Sequence, residues 1–330
     1  MRGRVPILIL NWNGWNDTMQ CVASVYADHT SHKVWVADNA SIEDRSPELL
    51  ARWPNLRLIK NAENLGYAGG CNKGLQIAIH ENVPYVYLLN NDAIVERGFL
   101  SNVLQVAEAD PKIGAVGSLI VSSDGAKVQY DGRYYWEDAM PDRESAGGSR
   151  DVADACGAGL LLNMEALKTV GLFDERFFCY YEERDLCWRL RERGWGVSYA
   201  RRSVVRHKIG ASDTNANQKY YLARNSILLI QNHTPGNMRP REVRRAIGET
   251  MLAALRQSRA VRQAMLWAIQ DGLAGCYGQR PTHRERGLIA RPAWHLYMFA
   301  RYLERKVRAR ERFSGLMRRM PKFGRERNAK

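Results

Sequence analysis

What this chain of 330 residues lacks narrows its class first. No stretch reaches the roughly 18 consecutive apolar residues that a membrane-spanning helix needs. The N-terminal MRGRVPILILNWN has no small-residue cleavage site and turns polar at Asn11, so it predicts a first strand and not a leader. The glycine patterns of two common nucleotide binders are missing. No GxGxxG follows the first strand, and no GKS or GKT closes a phosphate loop. The six cysteines, Cys21, Cys71, Cys156, Cys179, Cys187 and Cys276, form no CxxC pair and have no histidines at zinc spacing. They read as reduced thiols of a cytosolic protein. Neither an internal repeat nor a low-complexity segment is present.

What is there is an ordinary globular composition, 45% hydrophobic and 25% charged, with the charge unevenly placed. Residues 1–235 hold 26 Lys and Arg against 28 Asp and Glu, a net of −2, whereas residues 236–330 hold 23 against 7, a net of +16. A near-neutral body with a basic tail calls for an anionic partner, such as a membrane surface, a lipid phosphate or nucleic acid.

Apolar runs recur at Val5–Leu10, Val34–Ala37, Leu56–Ile59, Tyr85–Leu89 and Ile113–Val121. Helical spacing falls between them around Asp17–Tyr26, Ala68–His80 and Phe99–Ala109. This alternation predicts an α/β fold with a mostly parallel sheet covered on both faces. Residues 122–155 read as a long loop or small hairpin, VSYARRSVVRHK as two short strands, and Gln218–Gln231 as a helix. Helical spacing returns at Glu242–Gln257, Val261–Ala274 and Trp294–Arg310, the last a basic amphipathic helix suited to a membrane interface. The end from about Met320 reads as disordered.

Ligands of such sheets bind beyond the carboxyl ends of the strands. Those ends are polar here: Asn11-Trp12-Asn13, Asp38-Asn39, Asn61 and Asn90-Asn91-Asp92. In VADNAS, Asp38 beside Asn39 and Ser41 is placed to accept from a base N–H or a ribose hydroxyl, though the same residues make a good turn. In ENLGYAGGCNKG, Gly69 and Gly70 allow a close backbone approach, and the following helix offers its N-terminus to phosphates; a plain turn into a helix fits equally. Asp92 is a hard oxygen donor for Mg²⁺ or Mn²⁺. Asn90 is placed for ribose or the metal's water, and His207 is a further candidate metal ligand. Glu182, Glu183 and Asp185 open a helix after FFCYY. They fit helix-dipole compensation, but three acids behind an aromatic wall also suit general-base chemistry.

Taken in order, ILNWN, VADNAS, NLGYAGGCNKG, LLNNDAIV, GAGLLL, FDERFFCYYEERDLCWRLRERGW and RHKIGAS closely resemble the inverting family 2 glycosyltransferases, nearest the rhamnosyltransferase-like enzymes of bacterial surface-polysaccharide assembly. The resemblance covers about residues 5–230. It implies the GT-A fold, with a Rossmann-like nucleotide-binding half over 1–121, an acceptor half over 122–235 and a helical basic extension over 236–330. It implies a nucleotide-diphosphate sugar donor and a divalent cation. By that likeness Asp38 contacts the nucleobase, and Asn64, Gly69, Gly70 and Asn72 surround the nucleotide. Asn90-Asn91-Asp92 stands for the metal-binding triad, His207 joins it, and Glu183 is the base, with Glu182 and Asp185 as rivals. The sequence departs from the pattern at Asn90, where an acid is common, and at Glu183, where Asp is commoner.

The expected donor is dTDP-rhamnose, then a UDP-hexose, and the acceptor a glycan or a polyprenyl-diphosphate-linked sugar. The expected location is the cytoplasm, at the inner face of the membrane. A catalytically inactive nucleotide-sugar-binding module and a nucleic-acid-binding protein are the alternatives; the second accounts for the basic tail but not for the acidic cluster.

Overall fold

The computed structural model describes residues 5–29, 31–133, 150–208 and 216–281. The amphipathic segment expected at Trp294–Arg310 and the end from Met320 lie outside them.

The apolar runs become strands, buried on both faces at Pro6–Asn11, Lys33–Asp38, Tyr85–Asn90 and Ile113–Ser122 and half-exposed at the edge strand Arg57–Lys60. β1 (Pro6–Asn11), β2 (Lys33–Asp38), β3 (Arg57–Lys60) and β4 (Tyr85–Asn90) are parallel and lie in the order β3-β2-β1-β4. β9 (Gly159–Asn163) runs antiparallel between β4 and β6 (Ile113–Ser122). β10 (Gly196–His207) lies parallel to β6, and β5 (Ala93–Val95) closes the far edge antiparallel to β10. Six of these eight strands therefore share one direction. All of β6 is buried, as a strand covered on both faces requires. The helices α1 (Trp15–Asp28), α3 (Gly66–His80) and α4 (Phe99–Ala109) follow the expected spacing, while α2 (Ser46–Arg52) and α5 (Met164–Val170) are short and went unread.

One expectation changes, and one of two alternatives is taken up. VSYARRSVVRHK forms the single strand β10, with a register irregularity between Ala200 and Val204. The exposed Arg201-Arg202 pair that looked like a break is a bulge, which interrupts the apolar pattern without ending the strand. Within residues 122–155, β7 (Val128–Tyr130) folds back on β6 as a hairpin, and β8 (Arg150–Asp151) pairs with β10.

After α6 (Glu182–Glu192) and β10, the chain continues as α7 (Ala216–His233), α8 (Arg239–Ala254) and α9 (Arg259–Ala274). Tyr220, Tyr221 and Ala223 of α7 bury against Ala264 and Ala268 of α9. The start of the basic region is thus packed onto α7. Among the described residues, no helix is long and apolar enough to cross a membrane.

Parallel register brings the polar strand ends to one edge. Asn11 stands opposite Asp38, Asp38 opposite Lys60, and Leu10 opposite Asn90. His207 ends β10 opposite Ala93, which sets it beside Asp92. Gly70 and Gly74 let α3 settle on β1: a Cβ at either would stand 2.5 Å from a methyl of Leu10 or Leu8.

Gly66 is stricter, because its φ is +70° and a Cβ would stand 2.3 Å from the backbone oxygen of Phe178. Gly194 has φ +79° with open space around it. Gly66→Ala should therefore destabilise by about 2–3 kcal/mol and Gly194→Ala by about 1 kcal/mol, read from urea midpoints. Equal losses would contradict the packing argument.

Candidate active site

The nucleotide corner grows from the ends of β1 and β2. Asn11, fully buried, donates its amide to Asp38 Oδ1 at 2.7 Å and to Ser41 Oγ at 3.1 Å. Ser41 Oγ donates to Asp38 Oδ1 at 2.6 Å and accepts from the Asn13 N–H at 2.8 Å. Asn13 in turn accepts from the Ile42 N–H at 2.8 Å. Left-handed backbone at Asn13 (φ 54°) and Ala40 (φ 59°) turns the chain sharply there, the turn chemistry that DNAS suggested. Asn39 is held by Asn61 and Asn64, accepting at 3.0 Å from one and donating at 2.9 Å to the other.

Other predicted residues have different tasks. Gly69 and Gly70 face Leu65 and Leu10, so the structure gives them a packing role. Asn72 is buried and ties α3 to the following lobe, donating to Phe173 O at 3.0 Å and Glu175 at 2.8 Å. The N-terminus of α3 is already engaged: the Ala68 N–H donates to Phe178 O at 3.1 Å, and the Gly66 N–H to Asn64 at 2.9 Å. Asn91 braces α1, donating to Thr18 Oγ1 at 3.2 Å.

The metal corner lies where β4, β5 and β10 end. His207 Nε2 is 3.2 Å from Asp92 Oδ1 and 3.2 Å from Asn90 Nδ2. Burial raises the Asp92 pKa, but the His207 hydrogen bond and the charges of His207 and Lys208 outweigh it and hold the carboxyl below its usual value. A cavity of about 140 Å³ opens beside Asp92, lined also by Asp17, Arg206 and Lys208. No three His, Cys, Asp or Glu side chains gather as a ready-made cage among the described residues. One carboxylate and one imidazole fit a Mg²⁺ or Mn²⁺ ion that takes its other oxygens from water and a diphosphate.

The acid pair rides on an unusual loop. Phe178 (φ 64°, ψ −61°), Tyr180 (φ 68°) and Tyr181 (φ 76°) all take positive φ immediately before α6. Such backbone costs about 1–3 kcal/mol per residue and persists only when its surroundings hold it. Glu182 is 4% exposed, and its Oε2 is buried with no hydrogen-bond partner. Burial, then the neighbouring Glu183 charge, raises the Glu182 pKa well above the ordinary range. Tyr67 feels both carboxylates and donates to Gly157 O at 3.0 Å, while the Asn90 N–H donates to Ala158 O at 3.3 Å. The turn at 156–158 thus links the acid pair to the metal corner. Asp185 is engaged elsewhere: its Oδ2 meets Arg189 at 2.8 Å, and its Oδ1 meets His233 at 3.0 Å and Asn232 at 2.9 Å. Burial raises its pKa, yet the partners, His233 first, leave it lowered.

Two residues the sequence did not flag hold this loop. Asn225, fully buried on α7, donates to Phe177 O at 2.9 Å, Cys179 O at 2.8 Å and Tyr180 O at 2.8 Å. Arg224, also fully buried, donates to Phe177 O at 2.9 Å and Gly278 O at 2.6 Å, with its guanidinium 4.9 Å from the Tyr221 ring centre. A charged-polar pair inside the apolar YLARNSILL was the available signal, since apolar neighbours on every side of the helix leave it no fully solvated face.

Asn225→Ala should cost about 1–3 kcal/mol through the carbonyls left without a donor, seen by urea unfolding. It should also reduce turnover while leaving donor affinity unchanged in calorimetry. Unchanged stability and turnover together would contradict the clamp.

Comparison with known proteins bears on the family and the fold. The sequence profile described as "Glycosyl transferase family 2" matches residues 7–171. The N-acetylglucosaminyl-diphospho-decaprenol L-rhamnosyltransferase of Mycobacterium tuberculosis is 29% identical over 201 residues, covering 53% of this chain and 66% of the relative, just under two thirds of its length. The low-salt glycan biosynthesis hexosyltransferase Agl10 of Haloferax volcanii is 22% identical over 244 residues, 68% of this chain and 76% of the relative. Among solved structures, the mannosyltransferase PcManGT of Pyrobaculum calidifontis in complex with GDP-Man and Mn²⁺ has a TM-score of 0.52 at 17% identity, covering 91% of this chain and 84% of that one. GalNAc-T7 with UDP, GalNAc and Mn²⁺ has a TM-score of 0.51 at 15% identity, covering 68% and 50%. These likenesses place the expected GT-A fold on firm ground. With the profile spanning half of its residues, the chain belongs to glycosyl transferase family 2.

Proposed function

We propose that the chain is an inverting glycosyltransferase that moves a sugar from a nucleotide-diphosphate donor to an acceptor hydroxyl, with Glu183 as the base. The observation that carries this reading is the asymmetry of the acid pair. Glu182 is buried beside a second carboxylate, and both disfavour its charged form, which makes it the poorer proton acceptor. Glu183 is the less buried of the two and takes the base role on that ground. Asp185 is fixed by Arg189, Asn232 and His233, and its role is to brace α6.

The step is a single in-line displacement. Glu183 takes the proton of the acceptor hydroxyl, and the oxygen attacks the anomeric carbon from the face opposite the diphosphate. The bond from that carbon to the diphosphate oxygen breaks, its electron pair leaves with the nucleotide, and the configuration inverts. Asp38, Asn11 and Ser41 form the polar edge that receives the base or ribose. Asp92 and His207 would hold a Mg²⁺ or Mn²⁺ ion, which neutralises charge on the leaving diphosphate. The relative's name supports a rhamnosyl group and a polyprenyl-diphosphate-linked acceptor; dTDP-rhamnose, then a UDP-hexose, is the proposed donor.

Removing a general base costs about 10²–10⁴ in rate. Glu183→Gln should lose turnover by that order at saturating donor and keep donor affinity. Glu182→Gln replaces a neutral acid by a neutral amide and should stay within about tenfold of wild type. Asp92→Asn should abolish Mn²⁺-dependent transfer. The reverse ranking of the two glutamates would transfer the base to Glu182. Donor binding without turnover in the wild type would favour an inactive nucleotide-sugar-binding module.

The basic region is proposed to dock the enzyme on anionic lipid, supported by its net charge of +16. Each Lys or Arg near such a surface contributes about 1 kcal/mol. The full chain should float with phosphatidylglycerol vesicles and not with phosphatidylcholine vesicles. Equal flotation with both, or none, would contradict this role.

A further inference from the structure

Gln129 contributes its side chain to the metal corner from outside the motifs. It sits on β7 between Val128 and Tyr130, both fully buried, so period-two alternation turns Gln129 to the opposite side. The β6–β7 register is irregular between Ile120 and Val121, at the level of Gln129. The Gln129 amide then spans His207 at two points: Nε2 lies 3.0 Å from the His207 backbone oxygen, and Oε1 lies 3.1 Å from the His207 ring Nδ1.

These two contacts fix which ring nitrogen carries the proton. A backbone carbonyl only accepts, so the amide NH₂ must face it and the amide oxygen must face Nδ1. That oxygen also only accepts, so Nδ1 must donate. In the neutral ring the proton is therefore on Nδ1, and Nε2 presents its lone pair, which the Asn90 amide meets as donor. The Nε2–H bond to Asp92 belongs to the ring that carries both protons. Nε2 is the nitrogen that lies 3.2 Å from Asp92 Oδ1 and 3.2 Å from Asn90 Nδ2. A free imidazole in water prefers the other tautomer, so the protein has to impose this one.

We propose that Gln129 is a positioning residue that locks His207 in the Nδ1–H tautomer and so aims Nε2 at a divalent cation shared with Asp92. The proposal rests on the metal reading given above. The ligating nitrogen of a metal-binding histidine is set by the hydrogen bond its other nitrogen makes, and the loss of such a partner typically weakens metal affinity by about 10–100-fold. Gln129 accepts that hydrogen bond and also pins the His207 backbone, fixing the ring's plane as well as its proton.

The test uses the full chain labelled with ¹⁵N-histidine, free of metal and at mildly alkaline pH. Long-range ¹H–¹⁵N correlation reads the tautomer, and His207→Gln assigns the signal. The wild type should show a protonated Nδ1 and an unprotonated Nε2. Gln129→Leu should shift the ring toward Nε2–H and weaken Mn²⁺ binding about 10–100-fold by electron paramagnetic resonance titration. Gln129→Glu keeps an acceptor facing Nδ1 and should keep the tautomer. Thermal melting checks that each variant folds, and the wild-type spectrum needs no variant beyond its assignment. An Nε2–H ring in the wild type would overturn the proposal, as would unchanged Mn²⁺ affinity in Gln129→Leu. Mn²⁺ binding indifferent to Asp92→Asn would instead remove the metal reading and leave the tautomer result standing.

Discussion

The Asn225 amide and the Arg224 guanidinium hold a loop that could not hold itself. Three non-glycine residues in four, Phe178, Tyr180 and Tyr181, sit at positive φ, and their strain is offset by donors reaching from α7 to the carbonyls of Phe177, Cys179 and Tyr180. Much else depends on that contact. Phe178 O takes the Ala68 N–H at the start of α3, so the loop and the nucleotide-side helix are locked together. Gly66 is glycine because Phe178 stands against it. The loop also delivers Glu182 and Glu183 as the first residues of α6, where the first-turn N–H groups favour negative charge.

The acid pair shows how one sequence doublet acquires two roles. On a helix, adjacent side chains diverge by about 100°, so burial cannot treat them alike. Glu182 turns in toward Tyr67, Cys71 and Cys179. Ionisation is disfavoured there, which leaves Glu183 as the better proton acceptor of the two. Asp185, one turn on, meets cationic and amide partners and stays ionised. Three acids within four residues are thus sorted by what surrounds them.

Much of this was legible because its signals are local. Asn11, Asp38, Asn90 and Asp92 each end an apolar run, and parallel register then puts such ends on one edge. The doublet Glu182-Glu183 announces itself after FFCYY. What escaped was carried by distant contacts. Gln129 meets His207 across 78 residues, and Asn225 meets Cys179 across 46, leaving no periodicity to read. Gly70 suggested a ligand's approach, yet a helix resting on a strand asks for the same residue, and Gly69 is packed against Leu65 and Glu175. The Arg201-Arg202 bulge looked like a strand end because a bulge and a turn interrupt apolar patterning alike.

The central claim is the division of one proton between two carboxylates, and it can be measured without any substrate. Carbon-13 NMR of the full chain labelled at the glutamate carboxyl carbons reports each group's ionisation, with Glu182→Gln and Glu183→Gln assigning the signals. At neutral pH the Glu182 carbon should show the protonated form and the Glu183 carbon the ionised form. Two ionised carboxylates, or the proton residing on Glu183, would contradict the account.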